Sequence, residues 1–348
     1  MFPEKLISQE EFFAKFPNSR ENFEKSGLEW NMLEDIYTDY FPRVPYLTDV
    51  AKEMMNHILE NDIVHTAKFR VKDPEHLVEK IIRKKVKDPH VVINVGNYTS
   101  QITDLIGVRI LHLFKKDWKP LFDHIKGNFD CNNPVIANVR DGDSQDLLDE
   151  YKNNDVTIKK HDKGYRSIHY DVKIENEGVP YIAEFQARTI NEEAWSEVDH
   201  TIRYPYHQDD PELKAYSMIL NRISGLADEM GTFASGLKDV IDKRQESIND
   251  EKQKLESLIG ELDKVLAESE GDFVRTSIVA EVLGKIRSTQ EVITELEAYD
   301  RDAELAEYIV SGAKKANTIV PKFISVVFGS GNLSDRVYEK IHEIMRNQ

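Results

Sequence analysis

The alternation of apolar and polar side chains between residues 167 and 188 constrains the fold more than any other feature of the chain. Its apolar members stand at every second position, at Ile168, Tyr170, Val172 and Ile174. This period of two indicates a β-strand with one buried face. Residues 175–178, with the sequence Glu-Asn-Glu-Gly, predict a tight turn into a second strand over residues 181–188. We therefore expect an antiparallel hairpin.

The polar positions of this hairpin are predicted to share one face of a sheet. They are Glu184, Gln186 and Arg188 on the second strand and His169 on the first. Asp104 stands at the start of an apolar strand predicted over residues 106–114, and pairing of that strand with the second hairpin strand would bring Asp104 near Glu184. Two carboxylates beside a basic helix indicate a magnesium site for a nucleoside triphosphate. The alternative is a pair of solvated acids, with Glu184 in an ion pair with Arg188.

A basic segment lies upstream of these carboxylates. Eight Lys or Arg residues and three acidic residues fall between Lys68 and Lys87, a local charge of +5 in a chain of net charge −17. We interpret Arg70-Val71-Lys72 as the opening of a basic helix in which Pro74 occupies the first turn and which continues to about Val86. A confined positive patch on an acidic protein favours a triphosphate site over broad nucleic-acid binding. The alternative is a solvated helix face.

The patterns divide the chain into three parts. Residues 1–65 are predicted to be helical, with a break at Pro42 and Pro45, and residues 66–206 alternate helical and strand patterns typical of an α/β domain. Residues 207–348 are predicted to be helical again. Near-heptad spacing occurs at Leu255, Leu258, Ile259, Leu262 and Leu266. This stripe predicts a homo-oligomer, and the alternatives are an arm that covers the site or a docking surface for a partner.

Composition narrows the setting in which the protein works. The single cysteine, Cys131, excludes an intramolecular disulfide and a cysteine-built zinc site. The first thirty residues do not resemble a signal peptide, and no apolar run approaches the length of a membrane span. We expect a cytoplasmic protein with no membrane partner.

Five motifs in order resemble the synthetase domain of the RelA/SpoT family, the alarmone synthetases that make (p)ppGpp. They are Arg-Val-Lys-x-Pro-Glu at 70–75, Asp-Leu-Ile-Gly-Val-Arg at 104–109, Gly-Tyr-Arg-Ser-Ile-His at 164–169, Glu-Phe-Gln-Ala-Arg-Thr at 184–189 and Ala-Trp-x-Glu-x-x-His at 194–200. The resemblance implies a nucleotidyltransferase-like mixed sheet flanked by helices. It also implies transfer of pyrophosphate from ATP to the ribose 3′-hydroxyl of GDP or GTP. Because only about 65 residues precede the synthetase-like block, we expect no hydrolase domain.

The resemblance also implies roles for individual residues. Asp104 would hold magnesium, and Glu184 would hold the metal or orient the attacking hydroxyl. The donor ATP would have Arg70 and Arg109 around its adenine and Lys72, Lys80 and Arg83 on its phosphates. The acceptor would have its guanine stacked on Tyr165 and its ribose and phosphates near His169, Gln186 and Arg188.

Two departures from the family pattern leave the acceptor open. His76 stands where small members commonly carry serine, and residues 160–163, Lys-His-Asp-Lys, replace the usual loop rich in proline and asparagine. One alternative is a toxin-like enzyme that transfers pyrophosphate to the 3′ end of tRNA. Another is a catalytically silent sensor of guanine nucleotides, against which the presence of Arg70, Lys72, Asp104 and Glu184 together argues.

Overall fold

The computed structural model describes most of the chain. The described residues are 5–131, 133–140, 143–161, 164–203, 210–268, 272–298, 306–307, 309–311, 313 and 335–346. Two members of the predicted acceptor loop, Asp162 and Lys163, lie outside them. The chain forms two compact units, Met1–Asp228 and Glu229–Gln348. None of the described helices combines the length and the apolarity needed to cross a membrane.

A six-stranded mixed sheet forms the centre of the first unit. Its strands are β1 (Val64–Val71), β2 (Ile106–His112), β3 (Ile136–Val139), β4 (Thr157–Lys160), β5 (Ser167–Asn176) and β6 (Val179–Thr189). Their spatial order is β1-β2-β6-β5-β3-β4. The pairs β2–β6 and β3–β4 are parallel, and the other neighbours are antiparallel. The predicted hairpin is β5–β6, and its turn has positive φ at Glu177 and Gly178.

Helices flank this sheet, which confirms the predicted fold class. In the first unit they are α1 (Gln9–Lys15), α2 (Asn18–Ser26), α3 (Trp30–Tyr40), α4 (Val44–Leu59), α5 (Pro74–Lys87), α6 (Tyr98–Gln101), α7 (Trp118–Asn128), α8 (Gln145–Asn153) and α9 (Ile190–Arg203). Beyond them come α10 (Pro211–Glu268), α11 (Asp272–Ala298) and α12 (Asp335–Arg346). The predicted break in the N-terminal helical region is a 3₁₀ turn at Phe41–Arg43.

The apolar face of the sheet is covered, which leaves the opposite face for polar chemistry. Ala183, Phe185 and Ala187 of β6 are buried as predicted. The ring of Phe129, just after α7, contacts Phe185 with centroids 5.0 Å apart. The same core takes in the buried side chains of α1, α3, α4 and α5, so the N-terminal helices and the sheet bury their apolar surface together.

The interpretation of Arg70-Val71-Lys72 as the opening of a helix is wrong. Arg70 and Val71 end strand β1, where they pair with Gly107 and Ile106 of β2. Helix α5 begins only at Pro74, because the carboxylate of Asp73 caps it by accepting the N–H groups of Glu75 and His76. Strand β1 was missed because its lysine and arginine obscure the alternation on which strand prediction depends.

Candidate functional site

The three central strands place the predicted polar side chains in two neighbouring rows. One row contains Gly107, Glu184 and Asp171, and the next contains Arg109, Gln186 and His169. Each row crosses β2, β6 and β5, and residues two apart along a strand project to the same face. The register therefore brings four of the predicted site residues together: Arg109, Glu184, Gln186 and His169.

A closed ring of hydrogen bonds surrounds the carboxylate of Glu184. Its Oε1 lies 3.1 Å from Nδ1 of His169, and its Oε2 accepts a 2.7 Å bond from Nε2 of Gln186. Nε2 of His169 lies 3.0 Å from the hydroxyl of Tyr165. Arg188 closes the ring through Nη2, which donates to the Tyr165 hydroxyl at 3.0 Å and to Oε1 of Gln186 at 2.8 Å. Because a carboxylate only accepts, His169 donates to Glu184 through Nδ1.

This ring keeps Glu184 ionised. Burial raises the pKa of the Glu184 carboxyl, but the hydrogen bond and charge of His169 and the hydrogen bond of Gln186 outweigh burial and hold the pKa below its ordinary value. The negative charge of Asp104 opposes this shift, which means that the two carboxylates lie within electrostatic range of each other. Arg188 pairs with Glu193 at 3.2 Å rather than with Glu184, so the structural ion pair weighed in the sequence analysis does not form.

Asp104 lies two residues before β2 and forms a second charged cluster. Its Oδ2 accepts 2.8 Å bonds from the ammonium groups of both Lys72 and Lys80. Burial raises the pKa of Asp104, yet Lys72 and Lys80 together hold it below the ordinary value. Burial also lowers the pKa of Lys72 despite the attraction of Asp104. The backbone of Lys72 is fixed at both peptide groups, since its N–H donates to Leu105 and its carbonyl accepts from the hydroxyl of Tyr40, each at 2.8 Å.

The other oxygen of Asp104 meets the chemical requirement for a metal ligand. Oδ1 is buried and has no hydrogen-bond partner among the residues that the structure describes. A buried carboxylate oxygen without a partner is costly, and magnesium prefers this type of ligand, taking one or two carboxylates and completing its shell with substrate phosphates and water. No group of three or more His, Cys, Asp or Glu side chains suited to a metal occurs in the described part of the chain. Asp104 therefore fits a site that a nucleotide's phosphates would complete.

A cleft of about 190 Å³ opens beside these two clusters on β1 and β2. It is lined by Lys68, Phe69, Arg70, Gly107, Val108, Arg109 and Gln186. A Cβ at Gly107 would lie 3.1 Å from Nε of Arg70, so the glycine lets the guanidinium lie close over the strand. Two residues of α9 hold Arg109 in place, since Nη1 of Arg109 donates to Glu193 at 2.7 Å and also binds Glu197. The two arginines that the resemblance assigns to adenine thus line one cleft.

Arg83, a predicted ATP-binding residue, belongs neither to the two clusters nor to the lining of the cleft. It lies on the exposed side of α5 and pairs with Glu79 at 3.3 Å, one turn along the helix from Lys80. Its guanidinium is about half exposed, so it would have to leave Glu79 to reach a phosphate near Asp104.

Residues that the sequence analysis did not assign hold this site in place. Glu193 binds both Arg109 and Arg188. Arg166, within the motif at 164–169, is buried and faces Glu192 and Asp228 instead of solvent. Glu193 and Glu197 are four residues apart on α9, a spacing that places them on one helix face, but the spacing alone does not identify Arg109 as their partner.

Comparison with known proteins agrees with the motif assignment. Residues 69–209 match the RelA_SpoT model, the region found in RelA and SpoT proteins. The chain is 29% identical over 186 residues to the GTP pyrophosphokinase YwaC of Bacillus subtilis (strain 168). The aligned region covers 52% of this chain and 77% of YwaC. The small alarmone synthetase 1 from Bacillus subtilis matches at 20% identity with a TM-score of 0.40, covering 59% of this chain and 95% of that chain. The same synthetase bound to its product pppGpp matches at 21% identity with a TM-score of 0.38, over 59% of this chain and 95% of that one. The predicted resemblance to the RelA/SpoT family is confirmed for this region.

Proposed function

We propose that this protein transfers the β,γ-pyrophosphate of ATP to the ribose 3′-hydroxyl of GDP or GTP and so makes (p)ppGpp. The observation that carries the proposal is that two carboxylates within electrostatic range of each other are held in unlike ways. Asp104 is held by two lysines and keeps one buried oxygen free, whereas Glu184 is held by His169 and Gln186 and kept ionised. The match of residues 69–209 to the RelA/SpoT region and the relationship to a GTP pyrophosphokinase support the same activity.

The proposed step is an in-line displacement at the β-phosphorus of ATP. The acceptor's 3′-oxygen forms a bond to that phosphorus, and the bond from the phosphorus to the oxygen bridging to the α-phosphate breaks, so AMP leaves. The proton of the 3′-hydroxyl passes to the carboxylate of Glu184, which also orients the hydroxyl. Such a reaction depends mainly on positioning and charge neutralisation, and these are what ion-paired carboxylates and lysines provide.

On the donor side, Lys72 and Lys80 would exchange part of their interaction with Asp104 for the phosphate oxygens of ATP. The adenine would enter the cleft between Arg70 and Arg109. Asp104 would hold magnesium through Oδ1, and bound magnesium would neutralise charge on the triphosphate oxygens. On the acceptor side, Tyr165 would stack on the guanine.

The direct test incubates the protein and Mg²⁺ with γ-labelled ATP and, separately, GDP, GTP or deacylated tRNA. We expect label on the guanine nucleotides, with a modest dependence on salt. Label on tRNA alone, with activity that falls steeply as salt rises, would establish the toxin-like alternative because many phosphate contacts release many counterions. Nucleotide binding with no transfer to any acceptor would establish the silent sensor.

The division of the site into donor and acceptor sides predicts opposite kinetic effects. Lys72→Ala should raise the KM for ATP about tenfold or more, because it removes a partly buried phosphate cation. Arg83→Ala should raise it less, since that guanidinium is exposed and already paired. Tyr165→Ala should instead raise the KM for the acceptor, with a loss of about 1–3 kcal/mol in binding from lost stacking. Steady-state kinetics in both substrates measure this, and a Tyr165→Ala enzyme with a raised KM for ATP alone would contradict the division.

The ring around Glu184 predicts a change in pH dependence. A pKa below the ordinary value keeps the carboxylate ionised further into acid, so activity that needs the ionised form falls only at low pH. His169→Ala removes the strongest opposition to burial, and the pKa of Glu184 should then rise. The acid limb of the pH–rate profile should move to higher pH. The exposed His90→Ala serves as the control, and an acid limb that stays in place in His169→Ala would show that His169 does not set the ionisation of Glu184.

A further inference from the structure

The segment that carries Tyr165 packs directly on helix α10. The carbonyl of Gly164 accepts a 2.8 Å hydrogen bond from Nδ2 of Asn221. Gly164 has a φ of +76°, and a Cβ there would lie 3.0 Å from Nδ2 of Asn221. A residue with a side chain would therefore be strained in its backbone and crowded against α10.

The residue on the other side of Tyr165 is held by the same helix. Arg166 is 2% exposed, and its Nη2 donates to the hydroxyl of Ser224 at 3.2 Å. Its Nη1 lies 3.5 Å from a carboxylate oxygen of Asp228. Because Asn221, Ser224 and Asp228 are spaced by three and four residues, they lie on one face of α10. This face binds the residues immediately before and after Tyr165.

Asn221 is in turn held in place by a residue at the edge of the sheet. Arg140, the residue that follows β3, donates through Nη1 to both the side-chain oxygen and the carbonyl of Asn221, at 3.0 and 3.1 Å. A Cβ at Gly225 would lie 2.0 Å from Nη2 of Arg140. The glycine thus makes the space in which Arg140 reaches across α10 to orient the Asn221 amide toward Gly164.

We propose that Asn221, Ser224 and Asp228 are positioning residues that set the affinity for the acceptor nucleotide. They act through the backbone on either side of Tyr165, whose ring and hydroxyl face Arg188 and His169. The proposed donor groups lie elsewhere, on β1, on β2, on α5 and, for Lys72, between β1 and α5, so the donor affinity should be independent of α10. The inference rests on the proposed function for the identity of the acceptor.

The first test is Asn221→Asp in the full-length protein. The change keeps the shape and the oxygen that Arg140 binds, but it replaces the donor by an oxygen that faces the carbonyl of Gly164. We expect the KM for GDP and GTP to rise at least about fivefold, the scale of one lost hydrogen bond, while the KM for ATP stays within about twofold. Asn249→Asp makes the same change at an exposed position of the same helix and should leave both constants as they are.

Gly225→Ala is the second test, and it separates positioning from stability. The melting temperature should change little, because the higher helix propensity of alanine offsets part of the two hydrogen bonds that are lost when the methyl group displaces Arg140 from Asn221. A raised acceptor KM in a folded variant is expected. This variant also decides the matter if Asn221→Asp does not fold. An acceptor KM within about twofold of wild type in the folded variants, or an equal rise in both KM values, would overturn the inference.

Hydrogen–deuterium exchange of the ligand-free protein distinguishes this inference from the proposed function. Both variants should speed exchange at residues 164–167, and Asn249→Asp should not. Unchanged exchange there would reject the positioning role whatever the enzyme transfers. A wild-type protein that transfers nothing to GDP or GTP would reject the proposed function instead.

Discussion

Asp104→Asn and Glu184→Gln are each expected to lower pyrophosphate transfer at least about 10³-fold, the scale seen when a charge-stabilising group leaves an active site. Asp104→Asn removes the carboxylate that two lysines share, so it removes both the proposed metal ligand and the group that positions the lysines proposed to bind phosphate. Glu184→Gln keeps the size of the side chain but removes the carboxylate proposed to take the proton from the acceptor hydroxyl. Transfer is measured with saturating ATP, Mg²⁺ and acceptor.

Matched controls make these losses interpretable. Glu175→Gln lies on the same hairpin at an exposed position, and Asp123→Asn lies on α7 beside Lys119. Both should retain wild-type transfer, and circular dichroism should show that all four variants are folded. Transfer within about tenfold of wild type in both Asp104→Asn and Glu184→Gln would remove these residues from the chemistry.

The sequence was most informative where one local pattern decides the structure. The alternation through Ile168, Tyr170 and Val172 predicted the hairpin and its buried face. Pro74 similarly predicted the first turn of a helix that the structure has at Pro74–Lys87. Each of these features depends on residues within about ten positions of one another.

The sequence was least informative where a side chain's partner is distant along the chain. Asp104 was placed near Glu184 by an assumed strand pairing, but its closer relation to Lys72 and Lys80 was not foreseen. Arg166 stands within the motif at 164–169, and in the structure it is buried against Asp228, 62 positions away. A motif shows that an arginine is present but does not show which surface it faces.

Helix α10 shows the same limit for domain boundaries. The helical pattern after residue 206 predicted the helix that begins at Pro211, but no local feature indicates that its first turns bind the segment that carries Tyr165. The division at residues 206 and 207 and the homo-oligomer both remain predictions. The compact unit that contains the sheet continues to Asp228, which gives the first turns of α10 a place beside the site.

The buried charges around Arg166 lead to the largest expected effect on stability. Arg166→Met should lower the free energy of unfolding by about 3–5 kcal/mol, because removing one partner leaves buried charge uncompensated. Glu192 retains its ion pair with Lys115 at 2.8 Å, so the loss of the guanidinium affects Asp228 most. Denaturant unfolding measures the change. Arg222→Met, at an exposed position of α10, the helix that carries Asp228, is the control.

The pH dependence of this loss follows from the sign of the pKa shift. Burial and the nearby negative charge of Glu192 already raise the pKa of Asp228, and loss of the Arg166 guanidinium raises it further. A carboxyl with a raised folded-state pKa favours the folded state when protonated, and that contribution is lost as pH rises through the folded pKa. The deficit of Arg166→Met should therefore be larger at pH 7 than in mild acid, and adding Asp228→Asn should recover part of it at pH 7. A deficit that is the same at both pH values, and that Asp228→Asn does not reduce, would mean that Arg166 stabilises the fold by packing and not by charge.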